Sequence, residues 1–196
     1  MTYGKLKQRI YALLDLSSES AVSEGAVIDA VNDALPDAVS SAARKIAATL
    51  LCVSRRADVS FSYDGSLICA TLPNDFLSLK AVYSGGKRHL ASEFETAGGK
   101  IYGSCMTVGT ADLFYNAYPE DISEYGDDDE LEFDDAHADI LAYGAALELC
   151  STAFPGDYRR YVVLATEYDE RMANACLYGG RTDRVVNSLY SKRRLV

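Results

Sequence analysis

The sequence contains no tryptophan, only two histidines and no Cys-x-x-Cys pair. Two imidazoles, His89 and His137, are too few for a metal site built on histidine unless cysteines stand beside them. The five cysteines (Cys52, Cys69, Cys105, Cys150 and Cys176) are odd in number and widely spaced. That excludes a disulfide framework and a zinc cluster of regular spacing. They read as reduced, mostly buried small hydrophobes of a cytosolic chain. No apolar run approaches the roughly 20 residues of a membrane span, the longest being of the size of Ile46 to Val53. The opening Met1-Thr2-Tyr3-Gly4-Lys5 carries no apolar core, so no secretory signal is expected. The phosphate loop G-x-x-x-x-G-K-[ST], the dinucleotide loop G-x-G-x-x-G and the nucleophile elbow G-x-S-x-G are all missing. Gly85-Gly86-Lys87 and Gly98-Gly99-Lys100 share only the composition of a phosphate loop and read as hairpin turns. No cofactor and no catalytic residue is expected.

Positive charge is also scarce. Lys and Arg number 19 against 29 Asp and Glu, a net charge of −10. A protein that grips DNA neutralises phosphates, so sequence-specific DNA binding is disfavoured. The acids are concentrated. Glu120 to Asp139 holds eleven of them and no Lys or Arg. Asp127-Asp128-Asp129-Glu130 within it lacks the alternating ligands and central glycine of an EF-hand. His137 stands among Asp134, Asp135 and Asp139, which reads as a solvated, acid-rich helix start. The last sixteen residues, by contrast, carry Arg181, Arg184, Lys192, Arg193 and Arg194 against a single acid, Asp183. A basic tail on an acidic body suits binding to an acidic partner or to a second copy.

What is present is ordinary globular material: 196 residues, 48% hydrophobic, enough for one domain with arms. Tyr3 to Leu14 has helical spacing through Leu6, Ile10, Leu13 and Leu14. A second helix is expected from Ser23 to Leu35, with Ser23 as its N-cap. Pro36 is expected to end it and to open a third, alanine-rich helix reaching about Cys52. The period changes at Arg55. Val59, Phe61 and Tyr63 alternate, Asp64-Gly65 follows, and Ser66 to Thr71 returns, which is a hairpin signal. Leu77 to Tyr83, Lys87 to Leu90, Lys100 to Tyr102, Cys105 to Val108 and Ala111 to Tyr118 complete a meandering antiparallel sheet of five to seven strands. Asp134 or Asp135 caps a helix to about Ala153, with Ile140, Tyr143, Gly144, Leu147, Cys150 and Ser151 facing inward. Asp157 to Tyr178 is the longest helix. Its expected core stripe is Tyr158, Tyr161, Val162, Ala165, Tyr168, Met172, Ala175 and Cys176, and Gly179-Gly180 is its expected stop.

The fold class is therefore α+β: a helical bundle with an inserted antiparallel sheet and an extended C-terminal arm. The expected division is helices over 1–54, sheet over 55–119, acidic loop over 120–133, closing helices over 134–180 and basic arm over 181–196. One core is expected to join Val39, Ile46, Leu50, Ile140, Leu147, Tyr161, Ala165 and Met172. The arm has too few apolar residues (Val185, Val186, Leu189, Tyr190, Leu195, Val196) to fold alone, yet too many for a solvated tail, so it is expected to order on a partner.

Four stretches carry a resemblance to a known family. The alanine-rich helix leads into Arg56-Ala57-Asp58-Val59-Ser60-Phe61, and Leu72-Pro73-Asn74-Asp75-Phe76 feeds a strand at Leu77 to Tyr83. Leu113-Phe114-Tyr115-Asn116-Ala117-Tyr118-Pro119 precedes the acidic run, and His137 to Ala146 opens the helix after the sheet. With the order helices, sheet, helices, tail, residues 5 to 180 resemble the head–tail adaptor (connector, head-completion) proteins of tailed bacteriophages. The resemblance implies a structural virion protein and no enzyme. It implies a ring, usually of twelve copies, beneath the portal, extending the DNA channel and giving the tail its platform. It implies as partners the portal protein, a tail or tail-nozzle protein and neighbouring copies, with DNA only as passing cargo, no membrane, and synthesis in the host cytoplasm. Its docking element would be the arm: Arg181, Arg184, Val185, Val186, Leu189, Tyr190, Lys192, Arg193 and Arg194, with Leu189 and Tyr190 as anchors. Asp127, Asp128, Asp129, Glu130 and Glu132 would line the channel or form a solvated loop surface, since like charge lets DNA slide. The other reading is a small cytosolic α+β enzyme or ligand-binding protein whose site has no recognisable motif.

Overall fold

The structure, a computed structural model, describes residues 1–16 and 25–191, and for 25, 26 and 178–191 the backbone alone. The break at Ser17-Ser18-Glu19-Ser20 and the cap at Ser23 lie outside the described residues. Among the described residues the chain forms four α-helices and seven strands, a mixed α+β class. It divides into two compact units: Met1–Leu50 with Asp121–Val196, and Leu51–Glu120. The acidic stretch thus belongs to the helical unit. No described helix is long and apolar enough to cross a membrane.

The helical unit is built around α3 (Asp135–Ala153), which packs on α1 (Tyr3–Leu13), α2 (Gly25–Leu50) and α4 (Tyr158–Ser191). Ala138, the run Ile140 to Ala146, Leu149 and Cys150 are all buried, so α3 is covered on nearly every side. The one-sided stripe expected for it is too narrow: Leu147 is half-buried and Ser151 exposed. Gly144 marks the closest approach. A Cβ there would lie 3.0 Å from Tyr168 Cε2 and 3.2 Å from Ala42 Cβ.

Pro36 does not divide α2. One 26-residue helix runs through it. A mid-helix proline forfeits one hydrogen bond and crowds the preceding turn. Here Val31 and Leu35 before it and Val39, Ala42, Ala43 and Ile46 after it lie on one buried face. Unbroken burial of that face offsets the local cost.

Two expectations for α4 fail. Its backbone continues through Gly179-Gly180 to Ser191, so 181–191 is helix and not an extended arm. Glycine in a helix interior costs about 1 kcal/mol relative to alanine, while each further residue adds a backbone hydrogen bond. Lys192 to Val196 lie outside the described residues. The stripe assigned to the core fails at its start, where Tyr158 is 76%, Tyr161 41% and Val162 41% exposed, whereas Ala165, Tyr168, Met172 and Ala175 are half-buried and Tyr168 meets Gly144. The inward face also includes Arg160, Leu164, Glu167 and Arg171, which were not expected there. Arg171 donates to Asp139 at 3.1 Å, pairs with Glu167, and sets its guanidinium 3.9 Å from the Tyr143 ring centroid. Arg160 lies 4.6 Å from the Phe154 ring centroid. Arginine stems cover apolar surface and their planar heads stack on rings, so a polar residue holds the core side of this helix.

In the second unit the strands are β1 (Ser54–Asp64), β2 (Leu67–Thr71), β3 (Phe76–Ser84), β4 (Lys87–Leu90), β5 (Glu95–Ala97), β6 (Lys100–Tyr102) and β7 (Gly109–Ala117). Their order is β4-β3-β7-β1-β2-β6-β5, every pairing antiparallel. The Asp64-Gly65 hairpin and the turns at Gly85-Gly86 and Gly98-Gly99 form where expected, with Gly65 at φ 64°. A simple meander does not. β7, last in the chain, enters between β3 and β1 and pairs from Ser54↔Asn116 to Phe61↔Gly109. β1 then hands over to β2 for its last residues, Ser62 to Asp64. Cys105 to Val108, expected as strand, is not one: it begins inside a tight turn in which Met106 N–H donates to Gly103 O at 3.2 Å.

Candidate functional site

The acidic stretch is tied down by its backbone while its carboxylates face solvent. Tyr3 N–H donates to Asp129 O and Gly4 N–H to Asp127 O, both at 2.9 Å, and Leu131 N–H donates to Met1 O at 3.1 Å. The first N–H groups of a helix have no partner within it. In α1 the acidic segment's carbonyls supply two of them. Gly4 permits this contact, because a Cβ there would sit 2.9 Å from Asp127 O. Leu131 and Phe133 are buried, whereas Asp127, Asp128, Asp129, Glu130 and Glu132 are exposed. The segment therefore presents a row of acids from a fixed backbone. Asp127 pairs with Lys7, and this hydrogen bond holds the Lys7 ammonium above its ordinary pKa. Asp129 accepts from Gly126 N–H at 2.7 Å.

His137 is part of a helix cap. Asp134 Oδ1 accepts from His137 N–H at 2.9 Å and lies 2.7 Å from its Nδ1. Burial opposes ionisation of Asp134, but the His137 hydrogen bonds outweigh it and keep the carboxyl below its usual range.

Along α4 the exposed apolar side chains include Tyr158, Tyr161, Val162, Val163 and, near the end of the described side chains, Leu177 at 70%. The expected docking residues Arg181, Arg184, Val185, Val186, Leu189 and Tyr190 continue this helix as described backbone. Lys192, Arg193 and Arg194 lie outside the described residues.

Asp75, in the Leu-Pro-x-Asp-Phe turn, is a structural latch. It accepts from Arg55 Nη1 at 2.6 Å and from Tyr115 Oη at 3.0 Å, joining the start of β3 to β1 and β7. Burial first, and then Asp75, push the Tyr115 phenol up to about 12. Asp58 and Asp112 face each other across β1 and β7, with Arg56 at 2.8 Å from Asp112. The shared hydrogen bond raises Asp58, while Arg56 first of all lowers Asp112. This carboxyl pair is open to water, so it lacks the enclosure an acid–base site uses.

One group of chemically competent side chains was invisible in the sequence. His89 at β4, Glu93 in the 3₁₀ turn Ala91–Glu93 and Cys105 in the turn after β6 place their ligating atoms within 4.8 Å of one another. His89 Nδ1 and Glu93 Oε2 are 3.2 Å apart. Burial, then the Glu93 charge, raise the Cys105 thiol. A groove of about 860 Å³ adjoins them, lined by Tyr63, Leu67, Glu93, Phe94, Tyr102 and Ser104 among others. The only signal in the sequence was the four-residue step from His89 to Glu93, which no motif marks. Of the other cysteines, Cys69 and Cys150 are buried, Cys52 is half-buried and Cys176 is exposed.

Neither a protein-family model nor a curated protein matches this sequence.

Proposed function

We propose that this chain is a head–tail adaptor subunit of a tailed-bacteriophage virion: a structural protein, not an enzyme, that forms a ring beneath the portal. In this reading the helical unit acts as one bundle that meets neighbouring copies and the portal. The ring, of twelve copies in the family it resembles, extends the DNA channel and carries the tail.

The observation that carries the reading is the outward face of α4. Tyr158, Tyr161 and Val162, three and four residues apart, lie exposed on a helix whose other side is already packed. Apolar side chains gathered on one helix face mark an interaction surface more than a catalytic one. Three further points support it. Helices, antiparallel sheet and helices follow each other in the adaptor order. The exposed acids Asp127 to Glu132 give a surface over which DNA passes without being held. The Arg181 to Arg194 segment is basic and suits an acidic neighbour.

The test is co-expression with a bacteriophage portal protein from the same genome, followed by size-exclusion chromatography and electron microscopy. The expected result is a monomer alone and a ring seated on the portal when both are present. A stable small oligomer that ignores portal-containing heads would overturn the reading and favour the ligand-binding alternative.

A further inference from the structure

We propose that His89, Glu93 and Cys105 form a binding site for one divalent zinc-class metal ion, with a fourth coordination position left to water or to a ligand in the adjoining groove. The site stands on the second unit alone and does not depend on the adaptor reading.

The donor set selects the metal. One imidazole nitrogen, one carboxylate oxygen and one thiolate sulfur suit zinc and its borderline neighbours. Calcium and magnesium take oxygen ligands and have no use for the sulfur. Three protein ligands with an open fourth position is the pattern of zinc sites that bind an exchangeable group.

The geometry is close to what the ion needs. Zinc bonds to nitrogen and oxygen of about 2.0–2.1 Å at tetrahedral angles put the two donor atoms roughly 3.3 Å apart. His89 Nδ1 and Glu93 Oε2 already stand at 3.2 Å. The Cys105 sulfur lies within 4.8 Å of a ligand atom of each, so it has at most about 1 Å to close. Cys105 is exposed at a turn, where its side chain is not locked by surrounding packing.

The supports of these ligands are stiff. His89 is held by β4 pairing opposite Val82, which is fully buried. Phe94 N–H donates to Ala91 O at 3.2 Å and closes the turn that carries Glu93. The Phe94 ring stands edge-on to the His89 imidazole, with centroids 6.2 Å apart, and packs against Phe61 at 6.4 Å. Gly103 lets the Cys105 turn close on this ring, because a Cβ there would be 2.5 Å from Phe94 Cε1. Gly103 N–H donates to Ile68 O at 3.1 Å, and buried Met106 anchors the far side. Rigid supports of this kind orient ligands before the metal arrives.

The experiment uses the full chain under reducing conditions and cobalt(II) as a spectroscopic stand-in for zinc. The expected result is one equivalent of cobalt, a thiolate-to-cobalt absorption in the near ultraviolet, visible bands of tetrahedral intensity, and displacement by zinc. Cys105→Ser removes the near-ultraviolet band, and His89→Ala and Glu93→Gln each weaken binding by about tenfold or more. Cys176→Ser, the other exposed thiol, changes nothing. Each variant is checked for an unchanged thermal melt without metal. The proposal is overturned if the folded wild-type chain gives no band. It is equally overturned if the band survives Cys105→Ser, or if His89→Ala and Glu93→Gln bind like wild type, which would mark a lone surface thiolate.

Discussion

The helices α3 and α4 follow each other with only a short turn between them, yet the protein uses them in opposite ways. α3 is covered by α1, α2 and α4, and its buried positions run around its whole circumference. α4 is nearly twice as long, and over Tyr158–Leu177 it is covered along one side. Both are capped by an aspartate: Asp134 accepts from His137 N–H, and Asp157 from Arg160 N–H at 3.1 Å. Their difference therefore lies in packing and not in how they begin. α3 holds the helical unit together, and α4 leaves Tyr158, Tyr161 and Val162 exposed.

The comparison is open to attack from the α3 side first. Leu149 is 1% exposed. Leu149→Ala should cost about 2–5 kcal/mol in a urea melt. A loss under about 0.5 kcal/mol, the range of surface changes, would remove α3 from the centre. Gly144→Ala comes next. Helix propensity favours alanine by about 1 kcal/mol, but the added Cβ has Ala42 and Tyr168 on two sides. We expect net destabilisation of about 1–3 kcal/mol from overpacking, partly relieved when Tyr168→Leu is combined with it. Stabilisation would show that α2 and α3 have room to part.

A smaller effect is expected at the cap of α3. Asp134→Ala should cost about 1 kcal/mol at neutral pH. Asp134 has a depressed pKa in the folded chain. Its contribution is therefore fully present above its unfolded value of about 3.9 and fades as the pH falls through the lower folded value. The gap between wild type and Asp134→Ala in thermal melts should accordingly narrow only in strong acid. A gap that closes while the carboxyl is still ionised would show that the Asp134 carboxylate is not what caps α3. The smallest change is expected on α4. Tyr158→Ser with Tyr161→Ser should move the stability of the isolated chain by no more than about 0.5 kcal/mol per site, while abolishing ring assembly on the portal. A cooperative loss of several kcal/mol would mean that this face is core after all.

The places where expectation and structure part are instructive. Helical period in 158–176 located an apolar stripe whose later part, Ala165, Tyr168, Met172 and Ala175, is half-buried, but whose start, Tyr158, Tyr161 and Val162, is exposed. The inward side is also held by Arg160, Glu167 and Arg171 with Leu164, and the stacking of Arg171 on Tyr143 has no signature in hydropathy. At Pro36 the local rule for a helix break was overridden by one continuous buried face from Val31 to Ile46. At Gly179-Gly180 the backbone passes through a pair that composition marks as a stop.

Of the candidate sites, the acidic row was legible as charge, but not its anchoring. The carbonyls of Asp127 and Asp129 serve the free N–H groups of α1, a contact between segments more than a hundred residues apart in the chain. The His89, Glu93 and Cys105 group was not legible at all. Its members lie on three different elements, and only the folding of the Gly103 turn against Phe94 brings them together.

By itself the sequence determined the α+β class, the start of α3 at Asp134, the Asp64-Gly65 hairpin and the surplus of acid, because each depends on neighbours within a few residues or on composition alone. The tertiary structure decided that β7 enters between β3 and β1, which face of α4 is covered, and which titratable groups meet. Those outcomes depend on which distant surfaces fill one another's space and satisfy one another's hydrogen bonds, and a local pattern of apolar and polar residues is compatible with more than one such arrangement.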